Sequence, residues 1–211
     1  RLGSELAKET DLKADLVVPV PDSGVPAALG YAEKSKKNFE LGLIRNHYVG
    51  RTFIEPTQNI RSLGVKLKLN SSKTIVKNKS IILIDDSLVR GTTCHKIVKM
   101  LYESGAREVH VRIACPEIKY PDFYGVDMPT EEELLANNKN NQEMCDYIKA
   151  KSLKFLSLEG LYTALIKEKR QTNYPQFSDH YFTGDYPIEP QDNLKGVKIK
   201  QLSLLSGKSS S

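Results

Sequence analysis

Residues 81–94 read IILIDDSLVRGTTC, four apolar residues running straight into Asp85 and Asp86 and then into a loop of small, hydroxylated residues. A short run that is apolar at every position is a strand buried on both faces, and such strands belong to parallel sheets covered by helices on each side. DLVVPV at 15–20, FELGLI from Phe39 and EVHVRIA from Glu108 are further short runs rich in apolar and β-branched residues, with KFLSL from Lys154 a weaker one. Helical patterns lie between them: GVPAALGYAEKSKK after the first, and CHKIVKMLYESGA after IILID, with Ile97, Val98 and Leu101 on one face and Gly105 as C-cap. Strands alternating with helices predict an α/β fold with a mostly parallel central sheet flanked by helices. Past Met128 the pattern turns helical: PTEEELLANN, with Thr130 as N-cap and three glutamates at the positive end of the dipole, then NQEMCDYIKA and LEGLYTALIKEKR. A helical C-terminal region is therefore expected, followed by a flexible tail from 191 to 211 that ends in SGKSSS.

At 211 residues the chain can bury one core, and no apolar run approaches the length of a bilayer span. The net charge of +5 comes from scattered lysines, which calls for neither nucleic acid nor a membrane surface. Cys94, Cys115 and Cys145 are odd in number and have no CxxC spacing, against both a disulfide framework and a zinc site. A reducing, cytoplasmic location is expected. The chain opens on Arg1 without a signal-peptide pattern, and is expected to be a piece of a longer protein or the product of a split gene.

In open α/β sheets, ligands sit beyond the carboxyl ends of the strands. Two unusual loops fall there, PVPDSGVP at 19–26 and DDSLVRGTT at 85–93. The second offers consecutive backbone N–H groups, a glycine permitting close approach and the hydroxyls of Ser87, Thr92 and Thr93, leading into a helix N-terminus. That is the physics of a phosphate cradle. It lacks the GK[ST] of a P-loop, so an ATPase is a weak reading. Adjacent carboxylates add acceptors for two neighbouring sugar hydroxyls and donors for Mg²⁺, and a phosphate beside a vicinal diol describes a ribose 5-phosphate. Residues 45–61, RNHYVGRTFIEPTQNIR, are too polar for a core element and too long for an ordinary connection, and read as a lid over an anion.

IILIDDSLVRGTT resembles the phosphoribosylpyrophosphate (PRPP) signature of type I phosphoribosyltransferases. With VPVPDSGVPAALGYA, FELGLIRNHYVGRTFIEPTQNIR, GVKLKLN, GAREVHVRIACP, FYGVDMPT and FLSLEGL, residues 1–190 resemble the transferase half of the amidophosphoribosyltransferase family. The resemblance implies a type I phosphoribosyltransferase fold, with a transferase domain over 1–170 that lacks its first segment and an extension over 171–190 packed on it. It implies that 5-phosphoribosylamine is made from PRPP and ammonia at the first step of de novo purine synthesis. The implied PRPP-binding residues are Asp22, Ser23 and Gly24 at the pyrophosphate, Asp85 and Asp86 at the ribose hydroxyls, and Ser87, Leu88, Val89, Arg90, Gly91, Thr92 and Thr93 at the 5-phosphate. Ser23, Asp85 and Asp86 are the implied Mg²⁺ residues. Arg45, Tyr48 and Arg51 are the implied catalytic lid residues, with Arg61 also on PRPP.

The glutaminase domain of that family has no counterpart here, so ammonia would be free or supplied by a missing or separate glutaminase. Purine nucleotides are the implied inhibitors and a homo-oligomer the implied assembly. Some members hold an iron–sulfur cluster, but the corresponding positions here are Asp122, Pro175, Ser178 and Tyr181, so no cluster is expected. The alternatives are a non-catalytic PRPP- or nucleotide-binding regulator and an inactive fragment of the same fold. His47 and His95 are read as surface or capping histidines rather than catalysts.

Overall fold

The computed structural model describes residues 1–10, 12–46, 69–126, 130–173 and 175–188. Tyr48, Arg51, Arg61, most of the expected lid and the tail after 188 lie outside the described residues.

Five parallel strands form the central sheet in the order β2-β1-β5-β6-β7. They are β1 (Leu16–Pro19), β2 (Asn38–Phe39), β5 (Ser80–Asp85), β6 (Glu108–Ile113) and β7 (Ser152–Phe155). β1 and β5 are buried at every position, as an all-apolar run requires when helices cover both faces. Alternation splits their side chains between two cores. On one face Val17, Ile82 and Ile84 meet Leu6 of α1 (Leu2–Glu9) and Ala28, Tyr31 and Ala32 of α2 (Val25–Ser35). On the other, Val18, Ile81, Leu83, Val109 and Val111 meet Ile97, Val98 and Leu101 of the helix over Thr92–Glu103, and Met144 and Ile148 of the helix over Asn141–Ile148. Each fully buried aliphatic side chain contributes about 1.5–3 kcal/mol relative to exposure.

Among the described residues the other helices are α3 (Lys73–Val76), α4 (Thr92–Glu103), α5 (Leu135–Asn138), α6 (Asn141–Ile148), α7 (Leu158–Ile166) and α8 (His180–Thr183). α6 is closed by a capping box in which the Asn140 side chain accepts from Glu143 N and the Glu143 side chain accepts from Asn140 N. α4 ends at Ser104, and Gly105, one residue beyond, takes the left-handed conformation at φ +93° expected of a residue past the cap.

Three sequence expectations need correction. FELGLI is not one strand: Phe39 ends β2 in the main sheet, while Leu43–Arg45 form β3, which pairs antiparallel with β4 (Leu69–Ser71) in a separate two-stranded sheet. Between them the chain leaves the main sheet after Glu40 N donates to Val17 O, and Gly42 N turns back onto Glu40 O. Thr130 caps a 3-10 turn, Glu131–Glu133, rather than an α-helix, and α5 starts only at Leu135. α1 and α8 are helices that the sequence pattern did not mark.

Candidate active site

The two unusual loops lie side by side because β1 and β5 are neighbours, with Val18 opposite Leu83 and Pro19 opposite Ile84. Val20 N continues the pairing to Ile84 O at 2.8 Å, and the chain then turns through Asp22–Gly24 into α2. The Pro21–Asp22 peptide is cis. Gly24 is fixed by crowding: a Cβ there would lie 2.5 Å from Ile84 O and 2.8 Å from Val20 O, so the turn can pass beneath the end of β5 only without a side chain.

Asp85 closes β5 and is only 8% exposed, while Asp86 is solvent-facing. The Asp85 carboxylate accepts from Asp86 N at 2.9 Å. Burial, reinforced by the Asp86 carboxyl beside it, pushes the Asp85 carboxyl well above the ordinary carboxylate range. Across the strand ends, Ser23 Oγ donates to Asp86 Oδ1 at 2.9 Å, and Ser87 Oγ donates to Asp86 Oδ2 at 3.3 Å. The hydroxyl of one loop is therefore tied to the acid pair of the other. Arg45, at the end of β3, reaches the first loop too, placing Nη1 2.6 Å from Asp22 Oδ2.

Beyond Ser87 the loop uses its residues in different ways. Leu88 is buried in the core, so it offers a ligand its backbone only. Val89 O accepts from Leu135 N at 2.9 Å. Arg90 forms a two-point ion pair with Glu133, at 3.1 and 3.2 Å, which turns its guanidinium toward the Glu131–Glu133 turn rather than toward Asp85 and Asp86. Gly91 has φ +73°, a conformation costly for other residues, and a Cβ there would lie 2.7 Å from Leu135 Cδ2. It caps α4, whose first residues are the exposed Thr92 and Thr93, so their backbone N–H groups sit at the positive end of a 12-residue helix. His95 Nδ1 is 2.8 Å from Tyr147 O, on the first turn of that helix.

Asp85, Asp86 and Ser23 bring together hard oxygen donors, and a buried acid beside a second acid is a place where a cation relieves unfavourable charge. Two carboxylates and a hydroxyl fit Mg²⁺ of the kind that completes its octahedral shell with ligand oxygens and water. Among the described residues no group of three or more His, Cys, Asp or Glu side chains is placed to hold a metal.

Asp122, Ser178 and Tyr181, three of the four positions that the resemblance sets against cluster cysteines, meet in one hydrogen-bonded group with His180. Asp122 Oδ1 accepts from His180 Nε2 at 2.9 Å and Tyr181 OH at 3.0 Å, and Oδ2 accepts from Val126 N and Tyr124 N. Ser178 Oγ lies 3.0 Å from His180 Nδ1. Burial would raise the Asp122 carboxyl, but these donors hold it below the usual range. His180, at the centre of this network, was not singled out by sequence reasoning; a histidine beside two aromatic residues in a polar stretch carried no periodic signal.

The sequence matches the phosphoribosyl transferase domain family over residues 1–147. It is 56% identical over 206 residues to the amidophosphoribosyltransferase of Rhizobium etli, covering 97% of this chain and 42% of that protein. It is 50% identical over 185 residues to the Staphylococcus aureus amidophosphoribosyltransferase, covering 88% of this chain and 37% of that one. Its structure is similar to that of glutamine PRPP amidotransferase from B. subtilis complexed with ADP and GMP, with a TM-score of 0.78 at 47% identity, covering 88% of this chain and 41% of the other. The chain thus spans about two-fifths of the length of these relatives. Matched over residues 1–147, and folded as a helix-flanked parallel sheet with the acid pair at its carboxyl edge, the chain belongs to the phosphoribosyl transferase domain family.

Proposed function

We propose that this chain carries the transferase half of an amidophosphoribosyltransferase, joining ammonia to PRPP to give 5-phosphoribosylamine, the opening step of purine synthesis. The observation that carries the reading is the 2.9 Å bond from Ser23 to Asp86, which sets a turn fit for pyrophosphate against an acid pair fit for ribose hydroxyls. In this reading the amides from Ser87 to Thr93 hold the 5-phosphate at the N-terminus of α4, Asp85 and Asp86 take the ribose hydroxyls, and Asp22, Ser23 and Gly24 border the pyrophosphate. Leu88 and Val89 contribute backbone, and Arg90 braces the loop through Glu133.

In the reaction the nitrogen lone pair of ammonia attacks C1, the C1–O bond to pyrophosphate breaks with inversion, and the resulting ammonium loses a proton to water. A neutral amine needs no general base to become nucleophilic. Arg45 stabilises the departing charge, with Tyr48, Arg51 and Arg61 assigned the same neighbourhood from the sequence. Bound at Asp85, Asp86 and Ser23, Mg²⁺ would supply further neutralisation of that charge. Ammonia would come from solution or from a glutaminase carried on another segment or chain. Purine nucleotides, which present the same ribose 5-phosphate, are the inhibitors this site would accept, and cytoplasm is the compartment we assign. Among the described residues no helix is long and apolar enough to cross a membrane.

The test is pyrophosphate release from PRPP and Mg²⁺ with ammonium chloride or with glutamine. Release with ammonium alone is expected; none with either would overturn the reading in favour of a binding protein. Replacing both acids, Asp85→Asn with Asp86→Asn, is expected to abolish PRPP binding, whereas His95→Ala, whose ring faces Tyr147, leaves it within about twofold of the parent, since surface substitutions cost under about 0.5 kcal/mol.

A further inference from the structure

We infer that Asp22 is an internal rival of pyrophosphate for Arg45: its carboxylate holds the guanidinium on the pyrophosphate turn and yields it when the ligand arrives. The inference rests on the reading of residues 22–24 as the pyrophosphate turn. A carboxylate is an odd choice there, since it repels the anion the turn is to receive. The structure shows how the charge is offset. Asp22 and Ser23 are consecutive but serve different partners, Ser23 facing Asp86 and Asp22 facing Arg45. Arg45 comes from outside the main sheet: it ends β3, with its backbone opposite Leu69 of β4, so the 2.6 Å ion pair joins the small sheet to the turn before α2.

The pair is also open to exchange. The Asp22 side chain is 57% exposed and that of Arg45 38% exposed, so an incoming anion reaches the guanidinium without unfolding anything. Pyrophosphate brings several negative charges and paired oxygens that match the guanidinium fork, against one carboxylate. Asp22 thus keeps the arginine in place before binding, and the cost of its displacement is subtracted from pyrophosphate affinity. For a transferase that must release pyrophosphate, Asp22 speeds departure by reclaiming Arg45.

Calorimetric titration of inorganic pyrophosphate, with Mg²⁺, into the 211-residue chain and its variants tests this. Asp22→Asn is expected to tighten binding up to about fivefold at low ionic strength, the size of an exposed ion pair that pyrophosphate no longer has to break, with the gain fading as salt is added. Arg45→Gln is expected to weaken binding, and in that background Asp22→Asn should gain clearly less. Weaker binding by Asp22→Asn would overturn the inference, since Asp22 would then be a ligand or a needed support. An equal gain with and without Arg45 would also overturn it, leaving simple repulsion. If the parent chain bound neither pyrophosphate nor PRPP, the assignment of the turn itself would fall, a result distinct from both. Circular dichroism of each variant verifies that the substitutions leave the fold intact.

Discussion

Asp85 is held where burial and the neighbouring Asp86 disfavour its charged form. Its carboxyl is pushed up by burial first and by Asp86 second, so the folded protein binds this proton more tightly than the unfolded chain does. The sign follows from linkage: an acid whose folded value is raised costs nothing below the ordinary value of 3.8 and lowers stability progressively as pH rises through the raised value. Asp85→Asn keeps an acceptor for Asp86 N and removes the ionisation. It should therefore melt above the parent at pH 8 and no higher than the parent at pH 3, while losing PRPP binding. Thermal melts across that pH range check it, and a variant less stable than the parent at pH 8 would show that Asp85 is compensated within the protein. The Asp-Asp pair was legible in the sequence because adjacent acids at the end of an apolar run have few structural uses. Its link to Ser23 was not derivable from spacing, since the two loops are 63 positions apart and only the pairing of β1 with β5 makes them neighbours. The ion pair of Arg90 with Glu133 was equally hidden, because the two residues are 43 positions apart in the chain.

At the scale of elements, the loop that follows Asp86 is not self-supporting. It is braced by the 3-10 turn Glu131–Glu133 and the start of α5, through Arg90 to Glu133 and through Leu135 N to Val89 O. The hydrogen bond from Arg90, aided by its charge, holds the Glu133 carboxyl below its ordinary 4.5, so this brace is fully present above that value and is lost as pH falls through the lowered one. Both partners are half exposed, so the pair stabilises the fold by less than about 1 kcal/mol. Glu133→Gln should accordingly leave the melting temperature within about 3 °C of the parent while raising the KM for PRPP about two- to fivefold with little change in kcat. A large fall in kcat instead would mean that Glu133 acts on the reacting atoms. The strands that hold this loop were readable because continuous β-branched runs have one main use, whereas FELGLI misled: a run of apolar character cannot reveal that the chain changes sheets in the middle. Glu40 and Gly42 were the available signal, a charge and a flexible residue inside a run otherwise suited to burial. α1 escaped because its apolar positions are few, and its helicity depends on tertiary packing more than on its own pattern.

For the whole molecule, α1 is the piece whose removal tests whether the transferase fold is one cooperative unit. It lies on α2, where Ser4 Oγ donates to Gly30 O at 3.2 Å, and Leu6 is fully buried among Val17, Ile82 and Tyr31. Its end also fastens α7: Glu9 accepts from Ser157 Oγ at 2.6 Å and from Ser157 N at 2.9 Å, 148 positions along the chain. α2 begins directly after the Asp22–Gly24 turn, so α1, packed on α2, lies behind that turn and ties it to α7. Two substitutions separate packing from tying. Leu6→Ala removes a fully buried side chain between helix and sheet and should cost about 2–5 kcal/mol in urea unfolding. Glu9→Ala removes two hydrogen bonds to a partly exposed carboxylate and should cost about 1 kcal/mol. If the fold is a single unit, both variants unfold in one transition with the urea slope of the parent and with fluorescence and circular dichroism coinciding, because losing α1 exposes the sheet face on which α2 depends. Two transitions, or probes that part company in Leu6→Ala, would mean that α1 detaches alone and that the acid pair and the bend after it stand on the remaining core without it.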